Sequence, residues 1–145
     1  MKRLFTLLFA LCVAFCIHAY DFKVNDIYYK ITSATDKTVA VTYGESMYSD
    51  KYTGDLIIPA TVSFSGSTYD VTSLYYAFYE CYNLISLTIP SSIKSTDSWS
   101  FKSCNNLSTI NISDINSFLS ISGISALFDY GPKSKKILID GENSF

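Results

Sequence analysis

The amino-acid sequence predicts a repeat solenoid of short parallel β-strands joined by short helical turns and preceded by an antiparallel β cap, mostly β with minor α content. Three observations lead to this fold class. The middle of the chain contains two copies of one motif at a fixed separation, apolar residues alternate within each copy, and strand-like runs without that period precede them. Together they predict one folded domain.

The amino-terminal segment, from Met1 to Ala19, predicts a secretory signal peptide. It reads MKRLFTLLFALCVAFCIHA, with a basic start, an apolar run from Leu4 to Ile17 and the small residue Ala19 at the end. This order of regions places cleavage after Ala19. The apolar run is shorter than the roughly 20 residues that a bilayer-spanning helix needs. We therefore expect a secreted or cell-surface protein without a transmembrane segment.

The composition of the remaining chain excludes several classes of function. Cleavage after Ala19 leaves nine basic and 13 acidic residues, because Lys2 and Arg3 are removed with the signal. The resulting net charge of −4 argues against nucleic acid as a partner. The single histidine, His18, and the single arginine are also removed, which excludes histidine-based catalysis and histidine-ligated metals. We predict a protein that is not an enzyme and uses no cofactor or metal.

A repeat with a period of 23 organises the middle of the chain. The segment YAFYECYNLISLTIPS, which begins at Tyr76, aligns with SFKSCNNLSTINIS, which begins at Ser100. The matched pairs, each at a sequence offset of 23, are Phe78 with Phe101, Cys81 with Cys104, Asn83 with Asn106, Leu84 with Leu107, Leu87 with Ile110, and Ile89 with Ile112. A fixed period that keeps the apolar identities and varies the polar ones is typical of a solenoid.

The spacing inside each copy predicts which side chains face inward. The apolar positions fit the L-x-x-L-x-L core of a leucine-rich repeat, in which the last two lie on the inner side of a short strand. Ser86 and Thr88 of the first copy, like Thr109 and Asn111 of the second, then point outward. Stacking at a fixed period places Ser86 beside Thr109 and Thr88 beside Asn111, which makes a flat polar surface.

The chain before and after the two copies follows other patterns. Strand-like runs cover residues 27–32, 39–43 and 56–58, and a hairpin joins residues 61–64 to 67–71 across the Ser65-Gly66 turn. We interpret this part as the antiparallel cap. The predicted organisation is therefore a signal peptide at 1–19, a cap at 20–70, two repeats at 71–113 and a degenerate, apparently truncated third repeat at 114–145.

These residues resemble a known family. The run VTSLYYAFYECYNLISLTIPSSI, its second copy and the preceding GDLIIPATVSFSGSTYDVT are similar to the BspA-like leucine-rich repeat surface proteins of Bacteroidetes. The opening YDFKVNDIYYKITSATDKTVAVTY resembles the segment that precedes the repeats in that family. The second copy departs from the pattern at Thr96, Ser100 and Ser113. The resemblance implies adhesion or protein binding at the cell surface, with an extracellular or host-surface protein as partner. The alternative is a structural or vestigial fragment of a larger repeat protein, without binding of its own.

The polar and acidic residues allow few chemical sites. Cys81 and Cys104 are expected one strand spacing apart, so they are either stacked buried thiols or a disulfide, and two cysteines without histidine fall short of a zinc site. The acidic residues are scattered, and we expect Asp97, Asp114 and Asp140 to cap helical turns or form loops. No pair of carboxylates suggests a hydrolase.

The tyrosines are the strongest candidates for a binding surface. Tyr75, Tyr76, Tyr79 and Tyr82 crowd the turn of the first repeat, and tyrosines 43, 48 and 52 crowd the loop of the cap. Tyrosine beside serine and asparagine is the composition of many binding loops. The alternative is that these rings only cover the junction between cap and repeat. The candidate protein-binding residues are Tyr75, Tyr76, Tyr79, Tyr82, Ser86, Thr88, Thr109 and Asn111.

Overall fold

The computed structural model describes residues 19–46, 51–129, 135–140 and 142–143. The predicted signal peptide lies outside the described residues apart from Ala19, and so does Tyr48. The strands are β1 (Phe22–Val24), β2 (Ile27–Ser33), β3 (Thr38–Thr42), β4 (Gly54–Ile57), β5 (Thr61–Phe64), β6 (Ser67–Tyr75), β7 (Leu84–Ile89), β8 (Ser95–Thr96), β9 (Thr109–Ile112), β10 (Lys136–Ile139) and β11 (Glu142–Asn143). The helices are α1 (Ile115–Leu119) and α2 (Ser125–Asp129).

One sheet, here called the ladder sheet, has the strand order β11-β10-β9-β7-β4. Four of its strands, β4, β7, β9 and β10, run parallel, and β11 pairs antiparallel with β10. Ser86 lies opposite Thr109 and Thr88 opposite Asn111. This is the register that the repeat period predicts, so that prediction is confirmed.

The second sheet, here called the mixed sheet, has the order β1-β2-β3-β6-β5, and β8 pairs with the later part of β6. The predicted hairpin is present: β5 and β6 are antiparallel across Ser65 and Gly66, whose φ values of +50° and +76° suit the tight turn. The segment that we expected to be antiparallel throughout is mixed, because β3 pairs parallel with β6 and β4 parallel with β7. The residues around β4 share the inward apolar spacing of the ladder, which explains its place there.

The core between the sheets is apolar and contains a row of three aromatic rings in edge-to-face and tilted contact. The Tyr52 ring lies 5.6 Å from that of Phe78, and Phe78 lies 5.7 Å from Phe101. All three residues are buried, as are Leu87 and Ile110 of the ladder. Burial raises the pKa of Tyr52, whose hydroxyl therefore stays neutral at physiological pH.

Both cysteines are buried thiols in the structure, the first of the two arrangements that the sequence allows. The Cys104 Sγ donates to the Phe78 carbonyl at 2.9 Å. Glu80 and Ser103, one residue before each cysteine, have φ values of +57° and +65°. The two copies therefore turn in the same left-handed conformation at equivalent positions. Among the described residues there is no group of three metal-ligating side chains.

The acidic residues act as predicted at two short turns. Asp114 caps α1 by accepting from the Ser117 N–H at 2.7 Å. Asp140, at φ +51°, lies in the turn that follows β10. Of the helices in the described part of the chain, none is long and apolar enough to cross a membrane.

Candidate functional site

A cluster of aromatic rings lies where the chain leaves the mixed sheet and turns towards the ladder sheet. It consists of Tyr43, Tyr75, Tyr76, Tyr79 and Trp99, and is called the aromatic edge below. Tyr76 is its centre, with ring centroids 5.1 Å from Tyr75, 6.2 Å from Tyr43, and 6.4 Å from both Tyr79 and Trp99. The Tyr76 and Trp99 rings are within 3° of parallel.

Trp99 belongs to this cluster and Lys102 packs against it, although neither was among the residues predicted from the sequence. The Lys102 ammonium lies 4.0 Å above the centre of the Trp99 ring and 6.0 Å from that of Tyr79, both within the range of a cation–π contact. The signal that identifies them was present in the sequence. Trp99 follows Tyr76, and Lys102 follows Tyr79, by one repeat period each.

Backbone hydrogen bonds stack the two turns that carry these rings. The Phe78 N–H donates to the Ser100 carbonyl and the Glu80 N–H to the Lys102 carbonyl, each at 2.9 Å. Because these bonds join equivalent turns of successive repeats, they fix the separation of the turns that carry Tyr76 and Trp99. The aromatic edge is therefore built on ordered backbone and does not depend on side-chain contacts alone.

Asp97 anchors both turns through its carboxylate. One oxygen, Oδ2, accepts from the Tyr76 N–H at 2.6 Å and from the Ser100 hydroxyl at 2.9 Å, and Oδ1 accepts from the Trp99 N–H at 2.7 Å. Tyr76 has a φ of +49°, which is unusual for a bulky residue. The bond to Asp97 holds the backbone in this conformation. The predicted capping role of Asp97 is confirmed, and it extends to the preceding repeat.

The rings of the aromatic edge differ in exposure. Tyr75 is 49% exposed and Trp99 43%, whereas Tyr76 and Tyr79 are half-buried beneath them. Tyr76 and Tyr43 therefore do cover the junction between cap and repeat, while Tyr75 and Trp99 present aromatic surface to solvent.

The fourth tyrosine candidate lies apart from the aromatic edge. Tyr82 is exposed and belongs to the turn that enters β7, where its carbonyl accepts from the Asn106 amide at 2.8 Å. This bond joins equivalent turns of the two repeats. The structure thus brings three of the four selected tyrosines together and leaves Tyr82 on a neighbouring turn.

The four polar candidates form a separate surface on the ladder sheet. All four side chains are half-buried, and hydrogen bonds along the rows of the sheet involve three of them: Ser86 Oγ donates to Asp55 Oδ1 at 2.6 Å, and the Asn111 amide donates to the Thr88 hydroxyl at 3.4 Å. The structure thus brings Ser86, Thr88, Thr109 and Asn111 together as predicted. It places them on a strand surface, whereas Tyr76, Tyr79 and Tyr82 lie on turns and Tyr75 ends β6.

Comparison with known families identifies the repeats. A family model described as "BspA type Leucine rich repeat region (6 copies)" matches residues 59–137, more than half of the chain. The chain belongs to the BspA-type leucine-rich repeat family. The resemblance seen in the sequence is therefore confirmed. None of the proteins with curated descriptions matches the chain.

Solved structures of leucine-rich repeat proteins share the fold. A leucine-rich repeat protein from Bacteroides ovatus is 29% identical, with a TM-score of 0.58 over 83% of this chain and 30% of that one. One from Bacteroides capillosus is 22% identical, with a TM-score of 0.55 over 80% of this chain and 95% of that one. A leucine-rich cell surface protein from Faecalibacterium prausnitzii is 24% identical, with a TM-score of 0.52 over 64% of this chain and 23% of that one. The chain thus spans less than a third of the first and third of these proteins.

Proposed function

We propose that this chain is an exported, non-catalytic repeat protein that binds an extracellular or host-surface protein through the aromatic edge. The observation that carries the proposal is the exposed pair Tyr75 and Trp99, held above half-buried rings, with the Lys102 ammonium stacked on the indole. Aromatic residues are among the side chains that contribute most to protein interfaces. Proteins of the leucine-rich repeat family are generally binding scaffolds without catalysis, which agrees with this role.

The rigidity of the aromatic edge supports a binding role over a purely covering one. Asp97 holds the backbone of both turns, and the ring contacts restrict the side chains before any partner arrives. A partner would therefore order few additional groups, which lowers the entropic cost of association. The polar residues of the ladder sheet, including Ser86 and Asn111, would contribute hydrogen bonds if the partner reached across the repeats.

The proposal includes the architecture and the location of the protein. We infer a solenoid built on the ladder sheet, in which residues 20–70 cap the stack with most of the mixed sheet and contribute β4 to the ladder, and 114–145 form a less regular third repeat. The parallel register of four strands supports this arrangement. Export is supported by the apolar amino-terminal segment. Exported protein should begin at Tyr20 by amino-terminal sequencing, and recovery of Met1, or of a lipidated Cys12 or Cys16, would contradict it.

The binding experiment compares matched variants of the exported protein. Purified protein, displayed in many copies on beads because a two-repeat surface is small, is tested against arrays of matrix proteins and glycans. We expect affinity for a protein in the micromolar range for the single chain. The double variant Tyr75→Ser, Trp99→Ser should weaken it by about tenfold or more. The control is Phe128→Ser, which removes a comparably exposed ring (47%) that also has a lysine, Lys135, above it.

Three outcomes would contradict the proposal. Binding that survives in the double variant would remove the aromatic edge from the function. An absence of any protein partner, even for the multivalent display, would favour the structural or vestigial alternative. Hydrolysis of an array component that a single Asp→Asn change abolishes would show that the protein is an enzyme.

A further inference from the structure

The strand β4 is an open edge of the ladder sheet within the described part of the chain. It pairs with β7 on one side, and just beyond its end the Ile58 N–H donates to the Thr88 carbonyl at 3.1 Å. Alternate residues of a parallel strand bond to the same neighbour, so the backbone N–H and C=O groups of Asp55 and Ile57 point away from β7. Such a row of backbone groups is a template for one more strand.

A groove of about 470 Å³ lies alongside this edge. One wall is β4, and the buried side chains of Ile27 and Tyr29 from β2 and of Val62 from β5 also line it. An extended segment as long as β4 spans about 13 Å. The edge therefore faces a groove with a mixed polar and apolar lining that has room for one short strand, and the groove gives an inward side chain of that strand contact with the buried Ile27 and Tyr29.

The side chains of β4 define what such a strand should carry. Among the described residues that line the groove, Asp55 is the charged one. Its Oδ1 accepts a hydrogen bond from the Ser86 hydroxyl at 2.6 Å. Ile57 is 70% exposed, the most exposed of the large apolar side chains in the described chain. A neighbour with a cation beside Asp55 and an apolar side chain beside Ile57 would complement both.

The ladder sheet already contains a strand with this pattern, the parallel strand farthest from β4. In β10, Lys136 occupies the row of Asp55, Ser86 and Thr109, and Leu138 occupies the row of Ile57. Between them Ile137 continues the inward row of Leu56, Leu87 and Ile110. The sequence Lys-Ile-Leu-Ile thus fits a parallel strand of this sheet in that register.

We propose that the β4 edge binds an extended peptide segment of a partner protein, in which a basic residue is followed by apolar residues, as a fifth parallel strand of the ladder sheet. The basic residue lies beside Asp55, the next residue enters the groove against Ile27 and Tyr29, and the third covers Ile57. Backbone bonds to Asp55 and Ile57 supply affinity, and the acidic side chain excludes acidic segments. This surface is distinct from the aromatic edge and does not depend on the function proposed for it.

The probe for this site is the blocked hexapeptide KKILID, the sequence of residues 135–140, labelled at its amino terminus. We expect saturable binding to the exported protein by fluorescence anisotropy, and slower hydrogen exchange at the Asp55 and Ile57 amides when the peptide is bound. The peptide EEILID should bind about tenfold less tightly to the same protein. The variant Asp55→Lys should reverse this preference between the two peptides.

Two further variants test the backbone contact. Ile57→Pro removes an N–H that faces the groove and leaves the N–H groups of Leu56 and Ile58 on β7, and Ile57→Lys keeps the backbone intact but places a cation at the exposed position. Both should weaken binding of KKILID by about tenfold or more. The control Ile85→Ser changes another exposed apolar side chain (51%) on β7 and should leave binding unchanged.

The outcomes separate this proposal from its competitors. Binding of KKILID that is unaffected by Ile57→Lys, or that protects amides away from β4, would overturn it. The chain could instead self-associate in a way that Ile57→Lys abolishes and KKILID does not compete with. That result would assign the edge to a second copy of the chain and would also overturn the proposal. Unchanged peptide binding in the Tyr75→Ser, Trp99→Ser variant is expected, so failure at the aromatic edge and failure at β4 are distinguishable.

Discussion

In the ladder sheet, two neighbouring steps, the pairing of β7 with β9 and that of β4 with β7, are both parallel. The lengths of chain that connect the paired strands differ. Leu87 pairs with Ile110 at a sequence offset of 23, whereas Leu56 pairs with Leu87 at an offset of 31. The hairpin of β5 and β6 accounts for the longer connection. The inward apolar row is continuous across both steps, so the alternation of apolar residues defines the ladder and the connection length is free to vary.

The two steps differ in what surrounds the shared row. Leu87 and Ile110 are fully buried, whereas Leu56 is half-buried because β4 is the open edge of the sheet. In the row of three core rings, Tyr52 lies next to Phe78, as Phe78 lies next to Phe101 of the following repeat. Its hydroxyl accepts from the Tyr28 N–H at 3.1 Å and donates to the Thr42 carbonyl at 2.8 Å, which joins the ends of β2 and β3.

The largest expected effect comes from the shared inward row. Leu87→Ala should lower the free energy of unfolding by about 2–5 kcal/mol, because it opens a cavity in a fully buried site. Leu56→Ala should cost less, since its half-buried site loses less contact and solvent can enter the space. Urea unfolding of the two variants measures the difference between the two steps. Equal losses would mean that β4 is covered as completely as β7.

The outer face provides the control for that experiment. Thr88→Ala, one residue from Leu87 and on the opposite side of β7, should change the free energy of unfolding by less than about 0.5 kcal/mol. A larger cost for Thr88→Ala than for Leu87→Ala would mean that the strand register is wrong by one residue.

A second prediction concerns Tyr52, the one tyrosine among the three core rings. Tyr52→Phe makes the three core rings identical, yet it should destabilise the protein by about 1–3 kcal/mol, because the Tyr28 N–H and the Thr42 carbonyl lose their partner. The same type of change at an exposed ring, Tyr75→Phe, should have little effect on thermal unfolding. A stabilised Tyr52→Phe variant would show that a fully apolar ring at this position outweighs the two hydrogen bonds.

A third prediction concerns Asp97, which holds the turns before β7 and β9, the two strands that pair at the repeat offset of 23. Asp97→Ala should cost about 0.5–2 kcal/mol through loss of the cap. It should also change the near-ultraviolet circular dichroism of the aromatic edge, because the backbone of Tyr76 and Trp99 is released. Asp97→Asn, which retains one accepting oxygen, should keep most of the signal. An unchanged spectrum in the alanine variant would mean that ring packing alone orders the cluster.

The smallest expected effect concerns Asp114, which lies between β9 and β10. These two strands pair Ile110 with Ile137, at a sequence offset of 27. Hydrogen bonds from the side chain and backbone of Ser117 hold the pKa of Asp114 below its usual value. Its charge therefore stabilises the folded protein fully above the unfolded pKa of about 3.9, and the contribution is lost as the pH falls through the lower folded pKa. The stability difference between the natural chain and Asp114→Asn should accordingly shrink as the pH is lowered below the unfolded pKa of about 3.9. A difference that does not change as the pH is lowered would assign it to packing.

The local sequence pattern was sufficient to predict much of the fold. The hairpin over Ser65-Gly66, the inward and outward positions of β7 and β9, and the cap at Asp97 were predicted, because each depends on residues close together in the chain or on an equal period. Asp114 was predicted only to cap a helical turn or form a loop. The aromatic edge was predicted in part. Its tyrosines were predicted from the local composition. Trp99 and Lys102 were missed, because finding them requires the 23-residue period to be applied to the outward-facing positions as well.

Only the tertiary structure decided which distant strands meet. The pairings of β4 with β7 and of β9 with β10 have sequence offsets of 31 and 27, so they give no common period, and an antiparallel cap was expected where β3 and β6 run parallel. The sequence determined the inward face of each strand, because apolar alternation is a local property of the chain. The choice of neighbour depends on which faces become buried together after the connections have closed, and that is a property of the whole fold.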